Sequence, residues 1–157
     1  MLRCVLFALL FPLIAAGAAL RAQAADPAEI GVVKSVSGDA QLERSGADRP
    51  IEVGASLRKG DRIATGADGA VGFTLADGSR FSIGPNSAIV VSEFQFQPDR
   101  GLLALIADFL FGTMTHASGE IGRIEPDAVR ITTPLGVVGV RGTRFAIKQP
   151  KLEGARP

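Results

Sequence analysis

The chain has no tryptophan and no tyrosine, and it holds one cysteine, one histidine and two methionines. Base stacking and sugar stacking both draw on aromatic faces, and phenylalanine alone could supply them here. A zinc site needs three or four nitrogen, sulfur or oxygen ligands, so a metal would have to rest almost wholly on carboxylates. No strong charge of either sign is present: seventeen Lys/Arg against sixteen Asp/Glu give +1, which implies no general attraction to nucleic acid. What is present in quantity is glycine, nineteen residues, with nine prolines. In 157 residues these favour a turn-rich single domain over a helix bundle.

The first twenty-four residues read as an export signal. Arg3 precedes an uncharged apolar run from Cys4 to Leu20, interrupted by Pro12, and Ala22-Gln23-Ala24 supplies a small-x-small cleavage pattern. The expected mature start is Ala25. Cys4 opens the apolar run and leaves with it, so the mature protein would carry no disulfide. Residues 25–29 form a short lead-in, and no permanent membrane span is expected after cleavage.

From Glu29 onward apolar residues recur at a spacing near two, broken by glycine-containing turns. Ile30–Val36, Ala40 with Leu42, Ile51 with Val53, Ala70–Ala76, Phe81 with Ile83, Ile89–Phe96, Val129–Thr133 and Val137–Ile147 read as strands. Ser45–Asp48, Asp77-Gly78 as a two-residue hairpin, and Gly84–Ser87 read as turns. The expected fold is all-β, solenoid-like or sandwich-like. Residues 102–125 are mixed: Leu102–Phe111 suits either a helix or a buried strand, and a short helical insertion fits near Ile121 and Ile124. The tail 149–157 is expected to be disordered.

Catalytic constellations are missing. His116 stands alone on a polar segment and reads as a surface residue. No Gly-x-Ser-x-Gly elbow occurs. Asp61 and Asp77 sit beside glycine at strand ends, where Asp is turn chemistry and not a metal ligand. Gly136, Gly139 and Gly142 alternate with strand residues and lack the strand-to-helix setting of a phosphate loop. Glycine inside a strand marks close backbone approach. No metal and no cofactor are expected.

Four blocks in register carry a resemblance. Val32–Gly38 with Gly60-Asp61-Arg62-Ile63-Ala64-Thr65-Gly66, then Asp77-Gly78-Ser79 with Phe81–Ile83 and Pro85-Asn86-Ser87, then Thr133-Pro134-x-Gly136, then Arg141-Gly142-Thr143-Arg144-Phe145, resemble a FecR-type domain over residues 30–148. The resemblance implies an all-β periplasmic domain. In the family's signalling members such a domain relays iron-siderophore status from an outer-membrane transporter to a sigma factor. Only Met1-Leu2-Arg3 precedes the apolar segment here, and little follows Ile147, so a stand-alone exported form is expected. Its expected partner is a protein or another envelope component, not nucleic acid. The motif residues Gly60, Asp61, Thr65, Asp77, Gly78, Ser79, Thr133, Pro134, Gly142, Thr143 and Phe145 are expected to serve the fold. The resemblance also implies an alternative, self-processing. Some signalling members are thought to cleave at the position matching Gly142-Thr143, by attack of the Thr hydroxyl on the preceding carbonyl and hydrolysis of the resulting ester.

Overall fold

The computed structural model describes residues 28–140 and 144–151. Its strands are β1 (Glu29–Ser37), β2 (Ala40–Arg44), β3 (Ala47–Pro50), β4 (Ser56–Arg58), β5 (Arg62–Thr65), β6 (Ala70–Leu75), β7 (Arg80–Ile83), β8 (Ala88–Gln97), β9 (Leu102–Ala117), β10 (Val129–Thr133), β11 (Gly136–Gly139) and β12 (Arg144–Gln149). One five-residue helix, α1 (Glu120–Ile124), interrupts them. The fold is all-β with a small helical insertion.

The long strand β9 organises the sheet. Its first stretch lies between β8, paired over Leu102–Phe111, and β10, the parallel partner of Leu105–Asp108. Its last stretch lies between β7, paired over Met114–Ala117, and β12, paired over Gly112–Ala117. The sheet therefore curls into two halves that share this strand. One half runs β4-β1-β6-β7-β9-β12; the other runs β3-β2-β5-β8-β9-β10-β11. Their inner faces meet in one core, to which the first half brings Val33, Val71, Phe73, Phe81 and Met114 and the second Leu42, Ile63, Ile89, Leu105, Phe109 and Ile131. This is closer to the sandwich-like of the two expected arrangements.

The joint between the halves is Gly112. Its φ of +103° is one that L side chains rarely adopt, and a Cβ there would collide with the Oγ of Ser87 and lie 2.5 Å from the Ser87 Cα. Ser87 is fully buried and binds across the joint: its hydroxyl accepts from the Thr113 amide at 2.9 Å and donates to the Thr113 carbonyl at 3.2 Å.

Several local expectations are corrected. Leu102–Phe111 is strand throughout, and helix is confined to Glu120–Ile124. The turn at Ser45–Asp48 shrinks to Ser45-Gly46, because Ala47 and Asp48 pair with Arg44 and Glu43. Ile51 is buried, but Val53 is 64% exposed in a turn, so the two form no strand. The Asp77-Gly78 hairpin is a four-residue loop, Ala76–Ser79, since the Asp77 carboxylate needs Ser79 inside the turn to bind it. The expected strand Val137–Ile147 is two: β11 pairs with β10, whereas β12 lies in the other half of the sheet. Two glycines flank Val137-Val138, which are exposed, so the run has too little core-facing side chain to continue as one strand.

Candidate functional site

The sequence motifs converge on three knots of buried polar atoms. In the first, Asp61, 4% exposed, accepts from Arg44 Nε at 2.7 Å and Nη2 at 2.6 Å, and from the Arg58 amide at 2.8 Å. Asp61 thus serves its own turn, as Gly60-Asp61 predicts, and also closes a bidentate ion pair to β2. Gly60 supplies the left-handed φ of +85° that the turn needs.

In the second, the Thr65 hydroxyl donates to the Gly84 carbonyl at 2.7 Å and accepts from the Ser87 amide at 2.9 Å. The Asn86 amide donates to the Gly66 carbonyl at 2.8 Å. The blocks ending at Thr65-Gly66 and at Asn86-Ser87, remote in sequence, are thereby fastened together beside Gly112.

In the third, the Asp77 carboxylate accepts from the Ser79 amide at 2.9 Å and the Ser79 hydroxyl at 2.7 Å, with Gly78 at φ +80° in the turn. Ser79 Oγ accepts from the Gly119 amide at 3.0 Å, and the Asp77 carbonyl accepts from the Glu120 amide at 2.7 Å. The loop therefore holds the start of α1, and a Cβ on Gly119 would strike it.

Thr133 and Pro134 lie in the β10–β11 hairpin, where Thr133 Oγ1 donates to the Gly136 carbonyl at 2.9 Å. Phe145 lies on β12 with its ring half-buried against the core. Gly142 and Thr143, together with the expected signal segment 1–24, fall outside the described residues.

His116 is a correction. It is 1% exposed, not on the surface, because alternation along β9 turns it inward with Met114. Its ring lies between Phe81, centroids 4.4 Å apart, and Phe145, 5.2 Å apart. Neither ring nitrogen has a hydrogen-bond partner. Burial pushes its pKa down to about 4, against a smaller opposing pull from the Asp77 carboxylate. Alternation with Met114 was the available signal, since a strand's inward set is fixed by parity.

Among the described residues no group of three or more His, Cys, Asp or Glu is placed to hold a metal ion. Nor is any helix among them long and apolar enough to cross a membrane.

The family model described as FecR protein matches residues 61–154. The chain belongs to the FecR family. The FecR match takes in Asp61, Thr65, the Asp77–Ser79 loop, the Thr133-Pro134 hairpin and β12; Val32–Gly38 and Gly60 lie ahead of it. β1 is nonetheless integral to the FecR sheet, paired on both sides by β4 and β6. No curated protein matches the chain. A solved structure titled "Cell surface anchoring domain" is 25% identical, covering 40% of this chain and 84% of that one, with a TM-score of 0.39. FecR domains are associated with the cell envelope.

Proposed function

We propose that this FecR protein is exported and acts without catalysis, as a binding or sensing module in the periplasm or outside the cell. The observation that carries this reading is where the reactive side chains are spent. Asp61 is bound by Arg44, Thr65 by Gly84 and Ser87, and Asp77 by Ser79, all inside the fold. A catalytic carboxylate or hydroxyl needs to meet substrate, and these are buried in contacts that hold loops together. His116, the only imidazole, is closed between two aromatic rings.

Fractionation with intact-mass measurement tests the reading. The expected product is a periplasmic or secreted chain beginning at Ala25, uncut. A chain retaining Met1 in the membrane or cytoplasmic fraction would refute export. A pair of fragments divided between Gly142 and Thr143, lost in Thr143→Ala, would replace the non-catalytic reading with self-processing.

A further inference from the structure

The outer face of β7, the end of β9 and β12 carries three rows of side chains across the strands. Arg80, Ala117 and Arg144 form the first row; Ser82, Thr115 and Ala146 the second; Thr113 and Lys148 continue into the third. Arg80, Ser82, Thr115, Arg144, Ala146 and Lys148 are all exposed. Two open depressions of about 410 and 500 Å³ run along this face. No residue of β6, β7, β12 or the Gly112–Ala117 stretch is acidic. None of the three cations takes part in an ion pair among the described residues. Two strand spacings put Arg80 and Arg144 about 10 Å apart, and four residues put Lys148 about 13 Å from Arg144. The face is therefore a shallowly grooved, hydroxyl-bearing surface with three separated positive charges that make no ion pair among the described residues, on a chain whose total charge is only +1.

We propose that this face binds an extended anionic glycan. The chemistry of the face selects that partner. The aromatic residues that line one depression, Phe81 and His116, are only 2% and 1% exposed and offer no face on which bases could stack, which argues against single-stranded nucleic acid. The large apolar residues of the face, Ile83, Met114 and Ile147, pack against the core and do not present a side chain to a lipid surface, and no exposed aromatic anchor of the sort that dominates protein interfaces projects from it. Small hydroxyl residues leave backbone and ligand free to approach and exchange hydrogen bonds with sugar hydroxyls. Arginine pairs bidentately with carboxylate or phosphate groups. Spaced charges suit a polymer whose acidic groups recur at intervals, and not one compact anion.

This inference rests on the reading of the chain as an exported binding module, and the two fail in different experiments, one by fractionation and one by binding. The binding test uses the purified protein beginning at Ala25 on immobilised polygalacturonate, with neutral dextran, duplex DNA and phosphatidylglycerol-containing vesicles as further arms. Wild-type protein should bind polygalacturonate, more weakly as salt rises, and should not bind dextran. The triple variant Arg80→Ser, Arg144→Ser, Lys148→Ser should keep its circular dichroism spectrum and lose at least about tenfold in affinity, with a flatter salt dependence. Lys59→Ser, which removes an exposed cation elsewhere, should bind as wild type. The proposal is overturned if the triple variant binds as wild type, if Lys59→Ser weakens binding equally, or if polygalacturonate is not bound. Tighter binding to duplex DNA or to the vesicles at equal charge concentration would overturn it too.

Discussion

The two halves of the sheet share one core and one strand, but they handle charge in opposite ways. The half containing β2, β5 and β8 interleaves both signs and pairs them: Arg44 with Asp61 at 2.6 Å, Arg62 with Glu43 at 3.0 Å, and Lys59 with Glu93 at 3.3 Å. The half containing β6, β7 and β12 has no acid on those strands, and the cations they carry, Arg80, Arg144 and Lys148, face solvent with no ion pair among the described residues. A solvated face needs charge for solubility but gains little stability from it, so pairing is optional there. Only where a charge is buried, as at Asp61, does the fold require a partner. Charge at Asp61 is therefore tied to the fold, while on β7 and β12 it is available to meet a ligand.

The largest effect should come from breaking the joint that lets the halves differ. Gly112→Val places a β-branched side chain where φ is +103° and the Ser87 backbone is in contact. The expected loss is more than about 4 kcal/mol, beyond an ordinary point mutation. Gly101→Ala is the control, a positive-φ glycine with open space around it, and should cost about 1 kcal/mol. Urea unfolding of both variants checks the pair. Equal losses would mean that the close approach at the joint has no energetic weight.

Next is the paired half. Asp61→Ala strips the carboxylate from Arg44 and leaves the Arg58 amide without its acceptor. The expected loss is about 3 kcal/mol, at the low end for a buried pair because Arg44 keeps some contact with water. The corresponding change in the other half, Arg80→Ser, should be near neutral. Calcium should leave the melting temperature of the wild type unchanged, since a ligand stabilises only by binding the native state.

Parity made much of this fold legible in the sequence, and distance made the rest illegible. Val71, Phe73 and Leu75 alternate cleanly and are buried as a set. Glycine beside Asp at residues 60–61 and 77–78 located true turns. Leu102–Phe111 defeated periodicity because it is paired on both edges, by its hairpin partner β8 and by β10 from later in the chain, and that pairing makes a strand of a helix-compatible composition. The site was legible as motifs but not as contacts. Nothing local says that Asp61 meets Arg44, or that Thr65 meets Ser87. The polar neighbours of His116 give it the local look of a surface residue, and only the alternation along β9 turns it inward.

His116 also gives the unpaired half its own pH dependence. In the unfolded chain its pKa would be near 6.5, against about 4 in the fold. The unfolded state therefore binds the proton more readily between those values, and stability rises with pH across that window. The contribution is fully present above pH 6.5 and lost as pH falls towards 4. The shift corresponds to about 3 kcal/mol over the whole window. His116→Leu should flatten the stability profile between pH 4 and 6.5 relative to wild type, as followed by thermal melts. A wild-type profile unchanged by the substitution would mean that the ring is hydrated or partnered in solution.

The smallest effect expected sharpens the comparison most. Replacing Arg80, Arg144 and Lys148 together by serine removes three charges from one face, yet stability should change by less than about 0.5 kcal/mol. None of the three side chains has an ionic partner among the described residues to lose. Their mutual repulsion, at separations of about 10 Å or more, is largely screened at physiological salt. Serine also suits an exposed strand position beside Thr115 and Ser82. Urea melts at low and moderate salt check this, and a slight gain in stability confined to low salt would mark the relief of repulsion. A loss of 2 kcal/mol or more would show that these cations are part of the fold after all, and the contrast between a half that uses charge to hold itself and a half that leaves charge available would be lost.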